Sequence, residues 1–326
     1  MPAVSVCIPT YNYARFLPQA IGSVLAQTYG DFELIVSDNA STDNTQSVLA
    51  SYDDPRIKLF RNDHNLGLFG NFNRCLELAG CDLVKFVCAD DWLAPSYLED
   101  AVAVMESHPE AALLSTPGWV VDEGGDVIGL ATAGFDHDEI VPAPAALEAQ
   151  ARCLNVIGMP TNVTMRRAAV EAAGGFDPAF APASDVHLWL KLLNEHDLGW
   201  VKEPLCYLRV HTSKGHDYGP GPSESTFLSW EDAAGWPRTR VGPSLLEEAL
   251  YAEAERSLLY VAAYASRGRF GRAAAVIRFT GRHVRWRRVL PRFAARLPKL
   301  VSRQLKRIRA LRGGRLVEYG GPTPGS

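Results

Sequence analysis

Two adjacent carboxylates, Asp90 and Asp91, close a stretch in which Leu83, Val84, Phe86 and Val87 read as a strand buried between two layers of helix. Neighbouring acids repel each other unless a cation lies between or beside them, so a divalent metal is the occupant that the chemistry suggests. The same Asp90 could instead cap a following helix, with Trp92 and Pro95 marking the turn. The elements around the pair decide between these two roles.

Residues 4–8 form an apolar strand broken by Pro9-Thr10-Tyr11-Asn12, ahead of a helix carrying Phe16, Leu17, Ile21, Val24 and Leu25. Residues 32–36 are a second strand, running into a polar segment in which Ser41 or Asp43 can cap the next helix. A third strand at 57–60, a turn at Asn65-Leu66-Gly67 and a helix over 72–79 lead to the strand at Leu83. Strands alternating with helices at this spacing predict a doubly wound parallel sheet, with the Pro9, Asp38 and Asp90 segments converging at its carboxyl edge, where such sheets bind ligands. The chain has no GxGxxG after the first strand and no GxxxxGK[ST], which argues against the usual dinucleotide and P-loop chemistries.

The 326 residues allow two domains or one large domain with an extension. No run of about 18 apolar residues suggests a membrane span, and the N-terminus enters a strand without a signal-like segment. Six cysteines without CxxC spacing fit a reduced, cytoplasmic chain. The net charge of −4 conceals an asymmetry. Residues 1–255 carry 36 acids and 15 bases, whereas residues 256–326 carry 18 bases and the single acid Glu318.

Five segments taken in order, VSVCIPTYN (4–12), DFELIVSDNASTDNT (31–45), NLGLFGNFN (65–73), ADDW (89–92) and GGFD (174–177), resemble family 2 glycosyltransferases of the GT-A fold over roughly residues 3–215. The resemblance implies an α/β chain: a Rossmann-like, mostly parallel sheet flanked by helices. It also implies a nucleotide-sugar donor (a UDP-, dTDP- or GDP-sugar), Mg²⁺ or Mn²⁺, and inversion at the anomeric carbon. Carried over, Pro9, Thr10 and Tyr11 lie against the base, Asp38 and Asn39 hold base and ribose, and Asn12, Asn65, Gly67, Asn73 and Ala89 complete the donor site. Asp90 becomes the metal-binding acid of a DxD motif, joined by Asp91 and by His211 of an Arg-x-His strand, and Asp185 the general base. Three positions depart from the family pattern: Cys88 replaces the first Asp of DxD, Asn39 stands where many members have Asp, and Ser184 replaces the Glu before the base. Ser184 or Asp185 also suits the N-cap of the helix that follows. His137, between two acids, reads as a residue of a solvated loop over 131–144 rather than a ligand.

These segments divide the chain into a nucleotide-sugar half (1–115), an acceptor half (116–215), a Gly/Pro/Ser-rich linker or flap (216–243) and a basic helical extension (244–326). Arginines in the extension alternate with apolar residues, Trp286 and Phe293 among them, a pattern suited to an anionic membrane surface and lacking any nucleic-acid-binding motif; the other reading is that these arginines cover the strongly acidic catalytic domain. The expected protein is a cytoplasmic glycosyltransferase peripheral to the inner face of the plasma membrane, acting on a saccharide or lipid-linked acceptor in cell-surface polysaccharide or glycoconjugate synthesis. The alternatives are a sugar nucleotidyltransferase and a catalytically inactive membrane-binding adaptor.

Overall fold

A computed structural model describes residues 2–131, 134–135, 139–153, 156–211, 222–266 and 268–295, so His137 lies outside the described residues. Strand and helix alternate through the first part: β1 (Val4–Thr10), α1 (Leu17–Leu25), β2 (Phe32–Asp38), α2 (Thr45–Leu49), β3 (Ile57–Arg61), α3 (Leu68–Leu78) and β4 (Leu83–Phe86). β5 (Trp92–Leu93), α4 (Tyr97–Ser107), β6 (Ala111–Ser115), the β7 (Gly118–Val121) and β8 (Val127–Ala131) hairpin, β9 (Glu139–Val141) and α5 (Ala143–Cys153) follow. A 3₁₀ turn at Pro160–Asn162 leads into β10 (Val163–Arg166), α6 (Arg167–Ala172), α7 (Ser184–Glu195), β11 (Asp197–Trp200) and β12 (Cys206–Arg209). The chain then becomes helical in α8 (Pro222–Ala234), α9 (Pro243–Ser266), α10 (Phe270–His283) and a further stretch over 286–295.

The main sheet has the order β3-β2-β1-β4-β10-β6-β11-β9, and a smaller sheet the order β5-β12-β7-β8. β1 pairs in parallel with β2 from Val4↔Phe32 to Thr10↔Asp38, and with β4 from Val4↔Leu83 to Cys7↔Phe86. That register brings the Thr10, Asp38 and Asp90 segments to one edge, as the alternating pattern predicts. β10 runs antiparallel between β4 and β6, so the sheet is mixed beyond its first four strands.

Alternation along β1 sends Val4, Val6 and Ile8 into a core with α1 and α4, and Cys7 into the opposite core with Phe72, Phe86 and Trp189. Each fully buried aliphatic side chain of this kind contributes about 1.5–3 kcal/mol.

Two stretches differ from the sequence expectation. Residues 139–141, read as loop, pair as β9 with β11, and α5 follows at once. Within the expected linker, Pro222–Ala234 is a helix, because Phe227, Trp230 and Ala233 recur at helical spacing and bury in the same core as Trp189. Composition hid this stripe: Gly and Pro cluster before it. His187 on α7 faces Asp232 on α8 with 2.9 Å between Nε2 and Oδ2, and Phe180 stacks on the imidazole at 3.6 Å. α9 also contributes to this core through Ala249, Leu250 and Ala254, and Phe279 of α10 packs against it. Among the described residues no helix is long and apolar enough to cross a membrane.

Candidate active site

Hydrogen bonds bind the loops at the carboxyl edge to one another. Asn12 adopts φ 59°, a left-handed conformation that Asn tolerates, and its Oδ1 accepts from the Thr42 amide at 2.7 Å and the Asp43 amide at 3.3 Å. Asp38 accepts from the Ser41 amide (2.9 Å), Gln46 Nε2 (2.5 Å) and Arg61 Nη1 (2.5 Å). Asn39 is saturated: Nδ2 donates to Asn65 Oδ1 and the Gly67 carbonyl, and Oδ1 accepts from Asn62 Nδ2 and the Leu66 amide. Asn73 grips the Gly175 turn, donating to the Phe176 carbonyl and accepting from its amide. A Cβ at Gly175 would lie 2.8 Å from Asn73 Oδ1, so the close approach needs glycine.

Several residues expected to hold the donor therefore also fasten one loop to the next. Pro9 and Thr10 end β1 and Tyr11 follows it, with Thr10 buried and Tyr11 40% exposed. Gly67, with φ 77°, precedes α3, and Ala89 is buried in the acid turn.

A cleft of about 320 Å³ opens beside these loops, lined by Asn12, Tyr13, Arg15, Phe16, Asp43 and His211. His211 connects it to the acid turn, with Nε2 3.1 Å from Asp90 Oδ2. Tyr13 and Phe16 pack around its ring, and the buried Nδ1 has no hydrogen-bond partner among the described residues. Asp90 and Asp91 are both buried, in a turn between β4 and β5 rather than at a helix start.

Cys88 Sγ and one carboxylate oxygen from each of Asp90 and Asp91 lie within 4.8 Å of one another. Two hard carboxylates fit Mg²⁺ or Mn²⁺, and the thiol is the softer donor of the set. Asp91 is already oriented: Oδ2 accepts from Thr161 Oγ1 at 2.7 Å and Oδ1 from the Arg209 amide at 2.9 Å.

Three further residues shape this turn. Arg209 donates through Nε to the Asp90 carbonyl and through Nη1 to the Glu123 carbonyl. Nη2 bonds Gln19, and the guanidinium lies over Phe16 and Trp92. Thr161 Oγ1 accepts from the Cys88 amide at 3.1 Å while donating to Asp91. Lys85, fully buried on β4, bonds the Thr161 carbonyl and lies 3.6 Å from the centre of the Tyr97 ring. Burial lowers its pKa to about 7. An uninterrupted apolar strand containing one lysine is the signal that could have drawn attention to it.

Asp185 lies in the first turn of α7, buried, with Oδ1 accepting from the Val186 amide at 2.8 Å. The N-cap is Ala183, without a side-chain bond, so neither Ser184 nor Asp185 fills the capping position expected. Burial raises the Asp185 carboxyl to about 6, against the smaller downward pull of backbone amides. A carboxylate of that basicity, ionised at neutral pH, is suited to accept a proton.

A mixed sheet flanked by helices, with an acid turn at its carboxyl edge, is the architecture of a GT-A glycosyltransferase. Residues 5–172 match the profile of Glycosyl transferase family 2, and the chain belongs to that family. In sequence it is similar to the Escherichia coli protein named UDP-Glc:alpha-D-GlcNAc-diphosphoundecaprenol beta-1,3-glucosyltransferase WfgD, 38% identical over 103 residues, which are 31% of this chain and 40% of that one. In fold it is similar to S. aureus TarS in complex with UDP-GlcNAc (TM-score 0.61, 19% identity, covering 84% of this chain and 90% of that one). A second structure of similar fold is the mannosyltransferase PcManGT of Pyrobaculum calidifontis in complex with GDP-Man and Mn²⁺ (TM-score 0.58, 21% identity, covering 93% and 81%).

Proposed function

We propose that the protein is a metal-dependent, inverting glycosyltransferase that moves a sugar from a nucleotide-diphosphate donor to a hydroxyl of a saccharide or lipid-linked acceptor. The observation that carries this reading is the cluster of half-buried Cys88 with buried Asp90 and Asp91, joined through His211 to an open cleft, in a chain of this family. Asp90 and Asp91 would hold Mg²⁺ or Mn²⁺, with His211 and Cys88 at its margin. The metal, when bound, supplies positive charge against the diphosphate as it departs.

Tyr11 offers an exposed ring to the base beside Pro9 and Thr10, while Asp38, Asn39, Asn65 and Asn73 keep the surrounding loops in place. Asp185 takes the proton from the acceptor hydroxyl as its oxygen attacks the anomeric carbon in line with the leaving diphosphate. Configuration inverts because there is one displacement. Support for the donor and metal class comes from the UDP-GlcNAc of TarS and the GDP-Man and Mn²⁺ of PcManGT, and for a lipid-linked acceptor from the diphosphoundecaprenol in the name of WfgD. Such an acceptor places the protein at the inner face of the plasma membrane, in polysaccharide or glycoconjugate synthesis.

The test is hydrolysis and transfer with a panel of UDP-, dTDP- and GDP-sugars, with and without Mn²⁺, for wild type and Asp90→Ala. Loss of both turnover and Mn²⁺-dependent nucleoside diphosphate binding in the variant is expected. Calorimetry showing unchanged binding would remove Asp90 from the metal site.

A further inference from the structure

Two sets of arginines stand apart among the described bases that follow Glu255. Arg256, Arg288 and Arg292 approach acids of α9: Glu253 at 3.6 Å, Glu247, and Glu255 at 3.7 Å respectively. Arg269, Arg278, Arg282, Arg285 and Arg287 are exposed, and among the described residues none of these five has an acid within ion-pair distance. The sequence supplies no acid between Glu255 and Glu318 to meet them.

On α10, Ala273, Val276 and Thr280 are buried; Arg278 and Arg282 lie on the side away from them, and the exposed Phe270, Ile277 and Gly281 border the buried stripe on one flank. Phe270 is 68% exposed, Ile277 43% and, just beyond the helix, Leu290 52%. Trp286, one of the apolar residues that alternate with the arginines, is half-buried: its indole lies so close to Gly281 that a Cβ there would be 2.8 Å from Nε1.

We propose that this outward face of α10, continued through Arg285, Arg287 and Leu290, docks on an anionic phospholipid leaflet. Its purpose rests on the acceptor being lipid-linked, but the docking stands on charge and exposure alone. Each arginine brought against an anionic leaflet strengthens attachment about fivefold, and five together about 10³-fold, enough to hold a chain without a spanning helix. Arginine stems lie along the apolar boundary while their heads stay at the phosphates, which matches guanidinium groups flanking an exposed Phe and Ile on one face. A nucleic-acid backbone would satisfy the charge but gains little from Ile277 and Leu290, so lipid is the better fit.

Co-sedimentation of the full-length protein with vesicles of phosphatidylcholine, alone or mixed with phosphatidylglycerol, tests this. Arg278→Gln/Arg282→Gln/Arg285→Gln should weaken binding to the mixed vesicles about a hundredfold, with little binding of any form to phosphatidylcholine alone. Phe270→Ser/Ile277→Ser should retain low-salt binding and lose the part that survives high salt. Circular dichroism on each variant reads the fold separately. Wild-type sedimentation by both variants, no preference for the anionic vesicles, or displacement from them by duplex RNA at equal concentration would overturn the proposal. Donor hydrolysis assayed without vesicles separates the two readings: normal hydrolysis with failed sedimentation removes the docking face alone, and the reverse removes the transferase assignment alone.

Discussion

Replacing Asp185 by Asn separates the two consequences of burying an acid, because it should make the protein a worse catalyst and a more stable fold. The carboxyl rises from its ordinary 3.8 to about 6, with burial the leading cause. A folded pKa above the unfolded one means that the stability associated with the protonated acid is complete below pH 3.8 and lost as pH rises through about 6. At 1.36 kcal/mol per unit, the ionised carboxylate costs about 3 kcal/mol at pH 8 and under about 1 kcal/mol at pH 4. Asn keeps an oxygen for the Val186 amide and never ionises, so the variant should melt several degrees higher than wild type at pH 8, the gap closing near pH 4. Turnover should fall about 10²- to 10⁴-fold with donor binding little changed, and wild-type activity should rise with pH through about 6. Calorimetric melting at the two pH values, together with a pH–rate profile, is the assay. An Asn variant no more stable than wild type at pH 8 would refute the burial argument, and near-normal turnover would refute the role as base.

Two further substitutions probe the supports of the site. Thr161→Val deletes the hydroxyl that donates to Asp91 and accepts from the Cys88 amide; two buried groups left unpaired should cost about 2–4 kcal/mol in urea unfolding and weaken Mn²⁺-dependent nucleotide binding, with Thr161→Ser restoring both. Asn39→Asp removes the donors to Asn65 Oδ1 and the Gly67 carbonyl and sets a carboxylate against these oxygens, so a loss of about 2–3 kcal/mol is expected by the same measurement; unchanged stability would mean that these bonds are replaceable by water.

What the chain discloses without coordinates depends on how far apart the interacting residues lie. β1, β2 and β4 are legible because each is a short apolar run ended by polar residues, and their parallel order brings the Thr10, Asp38 and Asp90 segments together. Asn39 and Asn73 are legible as important from the motifs, while the loops that each of them grips become visible only in the coordinates. Lys85, Thr161 and Arg209 escape notice for a different reason: their partners are 76, 70 and 119 residues away, and no periodicity encodes such pairs. α8 was missed because Gly and Pro before it outweighed a three-residue apolar stripe.

The reach of Arg209 also bears on the order in which a growing chain acquires activity. Its guanidinium bonds Gln19, 190 residues earlier, as well as the Asp90 carbonyl, and its amide bonds Asp91. While the ribosome is still reading residues 116–208, β1 to β4 can pair, but the acid turn lacks one of its clamps and His211 has not been made. The acid turn therefore reaches its full set of contacts only once residues near 211 have emerged. Contacts of such long sequence separation are slow to close, which makes assembly of this turn a late event in folding.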